Sequence, residues 1–236
     1  MLEFLTRINA NAKHNTKHKT QNTKHLRYTL LKTFFNFVKN NIEETIANPC
    51  ETPMLKKIFR TKKSTPWTIL EKETVDEMIS KTANQRDRIL LELMARGGMR
   101  IGEVLKICKH DVDNRKIILH EPKSGKEAEA VFIPMKIADR LKDYIRNMDI
   151  PGNEAVFSIK YSAARLAVKK AGERIGVKLN PHDLRRHAAT YASRSGTPIE
   201  IFSKVILRHS NLSTTQRYLG KVSDAEALHW IENLYK

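Results

Sequence analysis

Two short runs, KIILH at 116–120 and AEAVFIP at 128–134, break the helical spacing that apolar residues keep along most of this chain. Both are rich in Ile, Val and Phe, and the stretch between them carries Pro, Ser and Gly. The pair reads as a β-hairpin with Lys123 and Lys126 at its turn. One hairpin among helices leaves little choice of fold class: mainly α with a small antiparallel β-sheet, an α+β architecture. The flanking segments supply the helices. One starts near Glu71 with Val75, Met78 and Ile79 inward. The next runs from Asn84 to Arg96 with Ile89, Leu90, Leu93 and Met94 on its buried side, and Gly97-Gly98 stop it. Further helices are expected from Ile101 to Cys108, from Lys136 to Met148 and from Tyr161 to Ile175. An amphipathic segment from Ser223 to Lys236 closes the chain.

The N-terminal end has a different character. No acidic residue occurs from Phe4 through Ile42, while Arg7, Lys13, Lys17, Lys19, Lys24, Arg27, Lys32 and Lys39 are basic. Its first part, rich in Asn, Thr, Lys and His, reads as disordered or as the solvated start of a helix. From Leu26 the residues Leu26, Leu30, Leu31, Phe34, Phe35, Phe37 and Val38 form an apolar stripe, which predicts a helix packed on a neighbour. Lys56 to Pro66, with its basic cluster and Ser64-Thr65-Pro66, reads as a linker between domains.

Charge narrows the partners. Lys and Arg number 43 against 26 Asp and Glu, a net +17 over 236 residues. Such a surface favours polyanions through counterion release, with nucleic acid first and anionic membrane surfaces second. No apolar run approaches the roughly 18 residues that crossing a bilayer needs, and the N-terminus lacks an apolar signal core. Cys50 and Cys108 are the two cysteines; without a regular framework they read as free thiols of a cytoplasmic protein. No zinc-type spacing of Cys and His is present. His110, Asp111 and Asp113 fall in the loop before the first hairpin strand and read as a surface turn, so neither metal nor cofactor is expected.

Chemistry concentrates between His182 and Tyr218. His182 and Arg185 are three apart in a helical stretch, so both leave one face about 5 to 6 Å from each other. His209 closes the next helical run, and Tyr218 follows nine residues later in a segment that Ser213 could cap. Upstream, Arg100 stands beside glycines that permit close approach of the backbone to a ligand. Two arginines, two histidines and a tyrosine without a matching set of carboxylates suit a phosphodiester. Guanidinium forks pair with phosphate oxygens at any working pH, and a phenol can act as nucleophile.

The ordered series Arg100, Lys123, His182-x-x-Arg185, His209 and Tyr218 resembles the catalytic domain of tyrosine recombinases of the phage-integrase, Xer-like family, over about two thirds of the chain. The resemblance implies a site-specific recombinase acting on double-stranded DNA as a tetramer. It implies a partial helical core-binding region at 1–60 and a catalytic domain at 61–236. The space before the helix at Leu26 is too short for the first half of the usual core-binding domain. Either the protein is a shortened relative or its true start lies upstream of Met1.

By that resemblance Arg100 and Arg185 hold the non-bridging oxygens, and Glu103 orients Arg100. His182 takes the proton of Tyr218, His209 adds a hydrogen bond, and Lys123 protonates the leaving 5′ oxygen, with Lys126 as its substitute. The product is a 3′-phosphotyrosyl link. The segment after Tyr218 is expected to dock on a neighbouring protomer. Lys169, Lys170, Arg174 and Lys178 are expected to contact the DNA backbone. Arg208 stands where the family commonly has glycine, adding bulk and charge beside the phosphate pocket, where it either lowers activity or contacts DNA. Two other readings stay open: a monomeric type IB topoisomerase-like nicking and closing activity, and a DNA-binding remnant without turnover.

Overall fold

The computed structural model describes residues 21–61, 69–120, 127–209, 215 and 231–232. Lys123, Lys126, Ser213, Tyr218, most of the segment after it and the first twenty residues lie outside them. The chain divides into two compact units, residues 1–65 and 66–236.

In the first unit, helix α1 (Gln21–Asn41) is followed by a 3-10 turn (Pro49–Glu51) and the short α2 (Pro53–Ile58). Both short elements start on prolines placed behind a capping side chain. Asn48 accepts from the Cys50 N–H and Thr52 from the Leu55 N–H, so the missing proline donors cost nothing there. The small core gathers Tyr28, Cys50, Leu55 and Phe59, with Leu31 and Phe35 against it. Tyr28 stacks on Phe59 at 5.1 Å and donates to the Cys50 carbonyl at 2.7 Å. This corrects the expected stripe. The buried anchor of α1 is Tyr28, and Leu26, Leu30, Phe34 and Phe37 stand on its exposed side, each more than half accessible.

In the second unit, α3 (Lys72–Ser80) leads to α4 (Gln85–Arg96), which is buried on every side from Ile89 through Ala95. Asn84 caps α4 by accepting from the Asp87 N–H at 3.1 Å, and Gly97 ends it. The four apolar residues read as its buried side are therefore joined by Leu91, Ala95 and Glu92, whose carboxylate pairs with Arg140. Neighbouring helices pack on this one, and the remaining elements follow in chain order. They are α5 (Ile101–Val104), strands β1 (Val112–Asp113), β2 (Lys116–His120) and β3 (Ala128–Phe132), α6 (Met135–Asn147), α7 (Tyr161–Glu173), α8 (Pro181–Arg194) and α9 (Ile199–Ile201). Helix α5 stops at Val104, four residues short of the expected Cys108, because Leu105 and Lys106 close a turn instead.

The three strands form one antiparallel sheet in the order β1-β2-β3, with Ile117 opposite Val131 and Leu119 opposite Glu129. Ile117, Leu119 and Val131 face the core, and Glu129, on the same inner face, is buried with them. A carboxylate placed at an inward position of a strand demands a cation; Arg208 supplies it, as described below. After α9 the chain widens into a π turn (Phe202–Ile206), where the Leu207 N–H reaches back five residues to the Phe202 carbonyl at 2.8 Å.

Candidate active site

Helix α8 begins on Asn180 and Pro181, and the Asp183 carboxylate turns back to accept the Asn180 N–H at 2.8 Å. That start places His182 in the first turn, exposed, and Arg185 one turn on, at only 1% exposure. A buried guanidinium requires acceptors. It has the carbonyl of Gly98 through Nη1 and that of Leu207 through Nη2. Gly98 can offer its carbonyl because its φ of +61° turns the backbone as only glycine does without strain, and a Cβ there would lie 2.8 Å from Ile206. Gly98 thus serves packing against Ile206 and the seating of Arg185, while Gly102 leaves open space beside the groove.

Arg185 Nη2 lies 3.4 Å from His209 Nε2, and His209 Nδ1 is 2.9 Å from the Thr215 hydroxyl, itself 2.7 Å from Ser203 Oγ. Since a guanidinium only donates, Nε2 faces it as acceptor and Nδ1–H donates to Thr215. Burial, then the charges of Arg185, Arg100 and Arg208, hold the His209 pKa down to about 4, so the ring is neutral near pH 7. Although His182 is exposed, desolvation of the buried part of its ring, then the charges of Arg185, Arg186 and Arg100, lower its pKa as well. The neutral His182 ring has a lone pair with which to accept a proton, and the nearby guanidiniums oppose the charge it would then carry.

Arg100 precedes α5, and Glu103 binds it twice, accepting its backbone N–H at 2.8 Å and its Nη1 at 2.5 Å. The second oxygen of Glu103 also takes Arg208 Nη2 at 2.6 Å. Burial raises the Glu103 pKa, but Arg208 and the Arg100 bonds outweigh it and the net shift is downward. Arg100, His182 and Arg185 line one groove of about 960 Å³, together with Lys106, His120 and Tyr161.

The phage integrase family model matches residues 68–224, well over half of the chain. The chain belongs to the phage integrase family. Among relatives of this family member is the tyrosine recombinase XerA of Thermococcus onnurineus (strain NA1), 28% identical over 199 residues that cover 80% of this chain and 67% of the relative. That of Saccharolobus solfataricus is 27% identical over 157 residues, 66% of this chain and 53% of the relative. The chain thus spans half to two thirds of the length of these relatives. In fold it is similar to the crystal structure of the site-specific recombinase XerH bound to a palindromic difH substrate, with a TM-score of 0.72 at 20% identity over 100% of this chain and 69% of that one.

The integrase-family residues read from the sequence separate into groups. Arg100, Glu103, His182 and Arg185 line one groove and His209 stands behind it against Arg185, whereas Lys123, Lys126 and Tyr218 lie outside the described residues. Lys169, Lys170, Arg174 and Lys178 are exposed on and just after α7, and Lys169 pairs with Glu173 at 3.2 Å. Arg208 departs from its expected place. Its side chain is 2% exposed and joins Glu103 to Glu129, the latter at 3.6 Å, so it faces the protein interior and cannot serve as a DNA contact in this conformation. Asp111 is also no surface residue, being 4% exposed.

His187 is structural: buried, bonded through Nδ1 to the Leu70 carbonyl at 2.8 Å and stacked on Tyr191. The residues that sequence reading passed over are Thr215, Ser203 and Glu129. For Glu129 a signal existed, an acid in phase with Val131 in a strand; for the two hydroxyls none did.

Proposed function

We propose that this chain is a site-specific DNA recombinase that cuts and rejoins strands through a 3′-phosphotyrosyl intermediate. The observation that carries the reading is the convergence of Arg100, Arg185 and His182 on one groove, with Arg185 locked by two backbone carbonyls. Locked cations aimed at one point stabilise charge as it accumulates on phosphorus, without reorganising first. In this reading the Tyr218 oxygen attacks phosphorus and its proton passes to His182. The bond to the 5′ oxygen breaks, and Lys123 protonates that oxygen. The reverse sequence restores the diester. Arg100 and Arg185 hold the non-bridging oxygens. The Thr215 hydroxyl can accept from Nδ1 or donate to it, which lets His209 switch tautomer and donate Nε2–H to the phosphate. Exposed Lys170, Arg174 and Lys178 meet DNA phosphates and set register without reading bases. Four copies act on two duplexes, and the segment after Tyr218 docks on the neighbouring copy.

The test is a set of duplexes carrying a nick beside each candidate cleavage point, so that the 5′ fragment diffuses away and the adduct accumulates. The expected result is a covalent protein–DNA species that resists denaturant and is lost in Tyr218→Phe. A wild-type protein that binds the duplexes yet forms no adduct on any of them would overturn the proposal in favour of a DNA-binding protein without turnover.

A further inference from the structure

We propose that His110, Asp111 and His120 hold one divalent transition-metal ion of the zinc class. His110 and Asp111 belong to the 3-10 turn Lys109–Asp111, and His120 is the last residue of β2. One ligand atom from each lies within 4.8 Å of the others. The Asp111 Oδ1 is the meeting point, 3.2 Å from His110 Nε2 and 2.9 Å from His120 Nε2.

Tautomer logic favours a cation there. His110 Nδ1 is 2.8 Å from the Gly152 carbonyl, which only accepts, so this nitrogen carries the ring hydrogen. In the neutral ring Nε2 then turns a lone pair toward a carboxylate oxygen, an arrangement that a bound cation converts from repulsion to attraction. The other Asp111 oxygen is occupied by the Cys108 N–H at 2.8 Å. A ring tied through its far nitrogen to a carbonyl, and a carboxylate tied through its far oxygen to an amide, is how ligands of a metal are held in orientation. The spacing fits. Metal–ligand bonds of about 2.0 to 2.2 Å in a tetrahedron separate the donors by roughly 3.3 Å, a few tenths beyond the two distances seen. Two imidazoles and one carboxylate select zinc, cobalt or nickel over magnesium or calcium, and leave one position for water. Such an ion would pin the end of β2 to the turn before β1, three residues ahead of Lys123 in the chain.

The inference is independent of strand exchange and is tested without DNA. The full chain, stripped with chelator and desalted, is titrated with Co²⁺ while visible absorption is read. The expected result is one equivalent with ligand-field bands, displaced by Zn²⁺ and missing from His110→Ala/His120→Ala. Both imidazoles are more than half exposed, so their loss leaves the packing intact, and His120→Gln alone serves should the double variant fail to fold. The remaining histidines are common to both proteins and cancel in the difference. At a hundredfold excess over its Kd, Zn²⁺ shifts the wild-type folding equilibrium about 100-fold, read as a raised Tm that the variant does not show. Equal cobalt stoichiometry and spectra in the two proteins would overturn the site. So would a wild-type Tm that does not respond to Zn²⁺.

Discussion

Arg208 shows how one side chain both strains and secures the site. Its φ of 53° lies in the left-handed region, which costs a non-glycine residue about 1 to 2 kcal/mol. Its guanidinium lies between the buried carboxylates of Glu103 and Glu129, and removing one partner of such a pair costs about 3 to 5 kcal/mol. Arg208→Gly and Arg208→Ala should therefore both unfold at lower urea, with the alanine variant less stable than the glycine variant by about 1 kcal/mol. Equal midpoints would separate the strain from the φ.

His209 gives a second prediction, with its sign set by the depressed pKa. The unfolded ring binds a proton near pH 6.5 and the folded ring only near 4. Its contribution is thus complete above the unfolded value and is lost as pH falls from about 6.5 toward 4. Burial lowers His182 and His187 as well, so three rings share the slope. Tm measured against pH should fall less steeply for His209→Gln than for wild type across that interval. The positions of Arg100, His182, Arg185 and His209 were legible because charge and spacing are written in side chains. What seats Arg185 was not, since Gly98 and Leu207 act through carbonyls that every residue owns.

At the level of elements, the joint between α4 and α8 carries the site. Gly98 follows the end of α4 and gives its carbonyl to α8, while Ile206 of the π turn packs where a side chain would stand. Gly98→Ala should cost at least about 1 kcal/mol from φ alone. It should also lower adduct formation, because the displaced carbonyl loosens Arg185. Gly102→Ala is the control for stability, as no atom lies within 4 Å of its new methyl and alanine favours the helix. A pair of variants with the same stability and the same activity would sink the argument. Helix α4 was readable almost to the residue, since Asn84 caps it and Gly97 ends it. Helix α5 was overrun because Leu105 and Ile107 continue an apolar pattern through a turn, and pattern cannot see where hydrogen bonding stops. The stripe on α1 misled for a related reason: periodicity marks which residues share a face, and tertiary contacts decided that Tyr28 marks the buried one.

For the molecule as a whole, a positive excess of 17 charges and a mainly helical body were both plain from composition and periodicity, whereas the burial of α4 on every side was not. The polar network that unites separated parts of the second unit was not, because Glu103, Glu129, Arg208, Ser203 and Thr215 are far apart in the chain and each is ordinary alone. One member of it bears on the proposed exchange between copies of the protein. Thr215 is fastened to His209 and Ser203, and Tyr218 comes three residues later. Three residues of backbone reach at most about 11 Å. While that mooring holds, the chain length keeps the Tyr218 backbone within that distance of Thr215, so in the proposed reaction lending the phenol to a neighbouring copy would first require Thr215 to release His209.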